Sequence, residues 1–157
     1  MRRALTLAAC LLWTATLVAG CEKTNVDRAE DVLERMIEVQ VDGLEQYIDT
    51  VEEYSDICNK CVRQTQALAD QLESQMQGLQ GQWKQLKAQM PTADYRQAVE
   101  NVTPDAREAF KVMGEIRDGA YEVFEEYQKN CPGQVAEVYN NMERVSGLFS
   151  ATIGYEF

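Results

Sequence analysis

Cysteine is the residue type in this 157-residue chain that is best suited to carry out chemistry, because there are five cysteines and no histidine. Without an imidazole, the chain alone cannot build a Ser-His-Asp triad, a Cys-His nucleophile pair or an HExxH zinc site. Cys58-Asn59-Lys60-Cys61 has the CxxC spacing of thiol-redox sites. Such a site needs a helix N-terminus to lower a thiol pKa and usually a βαβ scaffold, and the sequence indicates neither clearly.

The position of Cys21 indicates a different chemistry, the attachment of lipid. Met1-Arg2-Arg3 precedes an apolar segment at 4–19 that is typical of an export signal and too short for a spanning helix. The segment ends in Leu17-Val18-Ala19-Gly20-Cys21, which resembles the lipobox of bacterial lipoproteins. The resemblance implies cleavage before Cys21, acylation of Cys21 with diacylglycerol and palmitate-type chains, and membrane attachment of the mature chain.

The same resemblance implies a location. Residue Glu22 is not the aspartate that retains enteric lipoproteins at the inner membrane, so the sorting analogy favours the outer membrane. We therefore expect a cell-envelope protein, lipid-anchored to the outer membrane and facing the periplasm. The expected organisation is a signal peptide at 1–20, a tether at 21–26, a helical domain at 27–149 and a tail at 150–157.

Helical periodicity dominates the region between Asp27 and Met90, which contains no proline. Its apolar residues recur at alternating steps of three and four, interrupted only by Ser55 and Thr65. This pattern predicts helix with a narrow apolar seam, as in a coiled coil or one leg of a bundle. The two rows of the seam are Val41, Ile48, Val62, Ala69, Met76, Trp83 and Met90, and Ile37, Leu44, Val51, Cys58, Leu72, Leu79 and Leu86.

The remaining sequence predicts a second helical leg that runs back. Pro91-Thr92 ends the first leg, and the segment 92–101 could form a short helical turn. Thr103-Pro104-Asp105 is typical of a helix start, with a hydroxyl N-cap and a proline at the first helical position. Pro132-Gly133 predicts a break or kink, after which helical spacing continues to Phe149.

These elements predict an all-α fold in one of two forms. A break around Tyr54-Ser55-Asp56 would give an antiparallel three- or four-helix bundle. Without that break, the chain would form an elongated helical hairpin with one long leg. We favour the bundle, because the hairpin leaves part of the seam without a partner inside the chain. The unpartnered residues would be Leu33, Met36, Ile37, Val41 and Leu44.

A disulfide is expected, because an exported chain meets an oxidising compartment. If a leg ending at Met90 pairs with one starting at Pro104, Cys61 faces Cys131 within disulfide range. Cys61–Cys131 is therefore the preferred pairing, and Cys58–Cys131, one turn away, is the second. The leftover cysteine would be a buried thiol or a handle for a mixed disulfide.

Metal and cofactor sites are not expected. Three thiolates and a carboxylate could bind zinc, but an exported chain usually oxidises such cysteines. Val62 rather than histidine follows the CxxC pair, which excludes covalent haem attachment.

Acidic residues outnumber basic ones by 26 to 15, giving a net charge of −11, the wrong sign for a protein that binds nucleic acid. Many flank the first seam, where they predict a solvated face, a docking strip for a basic partner or a loose divalent-cation site whose spacing matches no calcium loop. This acidic strip consists of Glu38, Asp42, Glu45, Asp49, Glu52, Glu53 and Asp56.

These patterns favour a non-catalytic, lipid-anchored protein that presents a helical surface to an envelope partner or to itself, as a scaffold, assembly factor or pilotin-like helper. One alternative is a thiol-active envelope protein that uses Cys58 and Cys61. Another is a small-ligand or metal carrier, with a pocket inside the bundle lined by Tyr47, Tyr54, Tyr121 and Tyr127.

Overall fold

The computed structural model describes residues 23–148, which form four α-helices and no strand. The predicted signal peptide, Cys21 and the tail from 150 lie outside this range. Because the connections between helices are short, consecutive helices run in opposite directions, and the prediction of an all-α bundle is confirmed. The helices are α1 (Asn25–Glu53), α2 (Cys58–Gln89), α3 (Thr92–Asn130) and α4 (Val135–Gly147).

Local sequence signals explain both ends of α1. Thr24 caps the helix through a reciprocal pair: the Asp27 backbone N–H donates to the Thr24 hydroxyl, and the Thr24 N–H donates to the Asp27 carboxylate. At the other end the chain turns through residues 54–57 before α2 begins. The break expected around Tyr54-Ser55-Asp56 is therefore confirmed, and the first seam is divided between two helices.

Helix α1 is the central element, because it packs against α2, α3 and α4. A helix with neighbours on several sides needs a wide apolar face, and α1 buries residues well beyond its two seam rows. Four of the residues that a hairpin would leave unpartnered are buried here, and Val41 is half-buried. The buried residues of α1 are Ala29, Val32, Leu33, Met36, Ile37, Gln40, Gly43, Leu44, Tyr47 and Val51.

The core consists of two clusters along the bundle. The first joins the beginning of α1 to the end of α2 and the beginning of α3, around Met36, Trp83 and Val102. The second includes residues of α4 and surrounds Tyr47 and Tyr127. Between the clusters, the fully buried Gln40 side chain donates a 2.7 Å hydrogen bond to the Val145 carbonyl in the last turn of α4. It thereby satisfies a carbonyl near the helix end.

Helix α4 is attached to α2 by a partly exposed ion-pair cluster. The Arg144 guanidinium donates to Glu73 at 3.0 and 2.8 Å and to Asp70 at 2.7 Å. These hydrogen bonds raise the pKa of Arg144 and keep it charged. The two carboxylates therefore help to fix the register of α4 on α2.

The helix start predicted at Thr103-Pro104-Asp105 is wrong, because α3 runs without interruption from Thr92 and contains Pro104. Proline removes the backbone hydrogen bond to the carbonyl four residues earlier, that of Glu100. Pro104 and Glu100 are both exposed, so water can satisfy this carbonyl. On the opposite side, Val102 and Ala106 are buried in the first core cluster, and this packing keeps the helix continuous.

The preferred Cys61–Cys131 pairing is also wrong. The disulfide joins Cys58 to Cys131 with their Cα atoms 5.4 Å apart, and Cys61 is a buried free thiol. The prediction assumed that the two legs face each other directly, whereas α2 and α3 both pack against α1 and hardly touch each other. Their cysteines meet only at one end of the bundle, where Cys58 begins α2 and Cys131 is the C-cap residue of α3.

Glycine substitutions should distinguish open from closely packed positions. At Gly81 an added Cβ would meet nothing within 4 Å, so Gly81→Ala should raise the free energy of unfolding by ~0.5–1 kcal/mol through helix propensity. At Gly43 the same atom would lie 2.8 Å from Leu72 Cδ2, and Leu72 is itself buried. Gly43→Ala should therefore not raise the free energy of unfolding as Gly81→Ala does. Urea unfolding measures both, and equal stabilisation would contradict the close approach of α1 and α2.

Candidate functional site

The two cysteines of the CxxC segment are in different chemical states in the structure. Cys58 is bonded to Cys131, which ties the beginning of α2 to the end of α3. Cys61, one turn further along α2, is 0% exposed. The segment therefore carries neither a Cys58–Cys61 disulfide nor an exposed thiol pair.

Cys61 lies in a buried polar cluster with two tyrosines. The Tyr47 hydroxyl donates to the Val138 carbonyl of α4, and the Thr65 hydroxyl donates to the Cys61 carbonyl at 2.9 Å. The fully buried Tyr127 hydroxyl lies beside the Cys61 thiol and has no well-formed hydrogen bond within the described chain. Burial raises the pKa of Cys61, raises that of Tyr127 to about 12, and raises that of Tyr47 further.

The cluster predicts loss of stability in alkaline solution. Each of the three groups has a folded-state pKa above its unfolded value, so its contribution is complete below the unfolded pKa and is lost as the pH rises through the folded pKa. With ordinary values of 9.0 for the thiol and 10.0 for the tyrosines, the free energy of unfolding should fall from about pH 9 upwards. Urea titrations between pH 7 and 11 measure the effect. A flat profile would contradict it.

The same burial makes Cys61 a poor nucleophile at neutral pH, because the thiolate is the reactive form. Iodoacetamide should label Cys61 in urea-unfolded protein and leave the folded protein unlabelled.

The four tyrosines proposed to line a ligand pocket do not converge. Tyr47 and Tyr127 are buried in the second core cluster, whereas Tyr121 is 69% exposed and the Tyr54 ring lies beneath the Lys60 ammonium. Within residues 23–148 no group of three or more Cys, Asp or Glu side chains is placed to hold a metal ion.

The acidic strip lies on the surface as expected, because all seven of its carboxylate residues are exposed. They belong to α1 and to the turn after it. Asp49 and Glu53 also line a groove between α1 and α2, which makes this groove the clearest candidate binding surface of the described chain.

The groove consists of three hollows along the α1/α2 pair, of about 370, 270 and 370 Å³. The first two share Arg35 and Gln82, and no residue of α3 or α4 lines any of the three. Their floor includes apolar side chains such as Val39 and Leu86, which are half-buried. We call this surface the α1/α2 groove.

The α2 wall of this groove was not recognised from the sequence. Twelve residues of α2 line it, and none of them is charged. The available signal was the recurrence of glutamine at steps of three and four through α2. Eight of the twelve residues fall in one row with this spacing: Gln64, Leu68, Gln71, Gln75, Gly78, Gln82, Gln85 and Gln89.

Comparison of the chain with known protein families, curated proteins and solved structures finds no match of any of the three kinds. In the described part of the chain, none of the helices combines the length and apolar character that crossing a membrane requires.

Proposed function

We propose that this chain is a non-catalytic, lipid-anchored protein of the cell envelope that presents a helical surface to a partner protein. The observation that carries the proposal is the lipobox-like segment Leu17-Val18-Ala19-Gly20-Cys21, placed after a basic start and an apolar segment. Acyl chains on Cys21 would supply stable attachment, since each buried methylene contributes ~0.8 kcal/mol.

The short distance in sequence between the lipid site and the bundle supports this proposal. Helix α1 begins at Asn25, four residues after Cys21, and four residues span at most ~14 Å when extended. A bundle on so short a tether would remain next to the membrane surface. This position suits a protein that holds or delivers a partner there, as a scaffold, assembly factor or pilotin-like helper does.

The structure of the bundle also supports a binding role. The helices bury their apolar faces on one another, the buried Cys61 thiol is kept protonated, and the α1/α2 groove remains open to a partner. The proposed location is the outer membrane, on the periplasmic side, and the proposed partner is another envelope protein.

Metabolic labelling tests the anchor. Cells that express the full chain are fed an alkyne analogue of palmitate, and the protein is examined for label, size and membrane fraction. The unmodified chain should be labelled, shortened by 20 residues and recovered with the outer membrane. Cys21→Ala should abolish both labelling and this cleavage. Cys10→Ala, within the signal segment, is the matched control and should remain labelled. Labelling of the Cys21→Ala variant would overturn the proposal.

A further inference from the structure

The residues that line the α1/α2 groove recur along both helices with the spacing that packing of a third helix would require. Eight of the twelve α2 residues that line it are separated by alternating steps of four and three over residues 64–89, which is a 3.5-residue period. On α1 the same spacing relates Arg28, Val32, Arg35 and Val39, and resumes at Gln46, Asp49 and Glu53. A 3.5-residue period keeps each row on one side of a pair of packed helices, so the groove follows the pair lengthwise.

The chemistry of the α2 wall also fits a bound helix. Positions that flank the seam of a two-helix pair are commonly Glu or Lys when they face water. In a chain with 26% charged residues, the twelve α2 residues of the wall are six glutamines, three leucines, one alanine, one serine and one glycine. Covering an uncharged wall avoids the large cost of desolvating ions, and glutamine amides can both donate and accept hydrogen bonds to a partner.

The α1 wall carries charges of opposite sign at the two ends of the groove. Arg28 and Arg35 line the hollow near the beginning of α1, where Asp31 is already ion-paired with Lys23. Asp49 and Glu53 line the hollow at the other end. Arg35 and Asp49 are 14 residues apart, or ~21 Å along a helix, which exceeds the Debye length of ~8 Å at physiological salt. The two ends therefore attract opposite charges independently.

We propose that the α1/α2 groove binds one α-helix of a partner protein, with acidic side chains of that helix at the Arg28/Arg35 end and basic ones at the Asp49/Glu53 end. The proposal rests on the proposed function for the partner's location in the envelope. A second copy of this chain is a poorer occupant, because two copies anchored in one membrane would lie parallel and bring like-charged ends together.

Site-specific photocrosslinking in intact cells tests the groove. The full-length chain carries p-benzoylphenylalanine at Gln85, at the arginine end, or at Gln64, at the acidic end. The same probe at Tyr121, an exposed site on α3, is the control. We expect both groove sites to crosslink to one helix of the same protein, with acidic residues near the Gln85 site and basic residues near the Gln64 site. Tyr121 should not capture this helix.

A charge reversal tests the proposed orientation of the bound helix in the groove. The pair Arg28→Glu and Arg35→Glu should lower the crosslinking yield from Gln85 about tenfold. Arg107→Glu with Arg117→Glu, both on exposed positions of α3, makes the same change in net charge and should leave the yield unchanged. Thermal melts followed by circular dichroism show whether each variant is folded.

The inference is overturned if the groove sites capture this chain itself, capture lipid only, capture unrelated proteins or capture nothing. It is also overturned if the crosslinked helix has the opposite charge order. These failures are separate from failure of the anchor: a chain that is labelled by the palmitate analogue but captures no shared helix refutes the groove alone.

Discussion

Reduction of the Cys58–Cys131 disulfide should lower the free energy of unfolding by ~4 kcal/mol, because the bond closes a loop with a sequence separation of 73 residues. In the chain-entropy description, the cross-link restricts the unfolded ensemble, and the effect grows with the logarithm of loop length. Urea unfolding with and without dithiothreitol measures the difference. For a bundle of this size, such a loss is a large fraction of the total stability.

Two variants identify the disulfide as the cause. Cys58→Ala with Cys131→Ala should be as unstable without reductant as the reduced protein, and dithiothreitol should not destabilise it further. Cys61→Ala retains the bond and should still respond to reductant. If reductant destabilises the double variant, or if Cys61→Ala removes the response, the pairing is different from that described.

Replacement of Tyr47 by alanine should have an effect of similar size, ~3–5 kcal/mol, the range for truncation of large buried side chains. Tyr47 is 0% exposed and belongs to the second core cluster. Its hydroxyl also connects α1 to the Val138 carbonyl of α4. The truncation therefore leaves a cavity in the core and removes a contact that holds α4 in place. The midpoint of urea unfolding is the measurement.

Tyr121→Ala is the matched control, because it removes the same side chain from a position that is 69% exposed. Its effect should remain within ~0.5 kcal/mol. Tyr47→Phe separates the hydroxyl from the ring and should cost ~1 kcal/mol, the net value of a typical hydrogen bond. Equal effects of Tyr47→Ala and Tyr121→Ala would contradict the placement of Tyr47 in the core.

The helical architecture could be predicted because it depends on periodicity within the sequence. The steps of three and four between Asp27 and Met90 indicated helix, and the apolar residues without a partner argued for a break in the long leg. Leu33 and Met36 are buried as that argument requires. The polar interruption at Thr65 is also buried, where its hydroxyl finds the Cys61 carbonyl as an acceptor.

The register between helices could not be predicted, because it depends on tertiary packing. Local rules place Pro104 at a helix start, yet the burial of Val102 and Ala106 on either side favours a continuous helix. Helices α2 and α3 both pack against α1 rather than on each other, so a register for two directly facing legs does not decide which cysteine meets Cys131. The sequence therefore identified the two possible disulfide partners and ranked them in the wrong order.

The candidate surface was predicted only in part for a similar reason. Charged residues are conspicuous in a sequence, so the acidic strip around Asp49 was recognised. The uncharged α2 wall became significant only when α1 was placed beside it, because glutamines at helical spacing look like an ordinary solvated face until a groove is seen. Arg28 and Arg35 were likewise identified as part of a candidate binding surface only from the arrangement of α1 beside α2.

The disulfide also determines how the molecule responds to mechanical tension. Together with the connection at residues 90–91, it makes a covalent ring that contains α2 and α3 and leaves α1 and α4 outside. A force applied at the N terminus is transmitted through α1 to Cys58, next to the bond. Under load, α1 can peel away while the chain between Cys58 and Cys131 is shielded from extension. When the chain is pulled from its two ends, α1 and α4 are therefore the helices that can extend while the bond is intact.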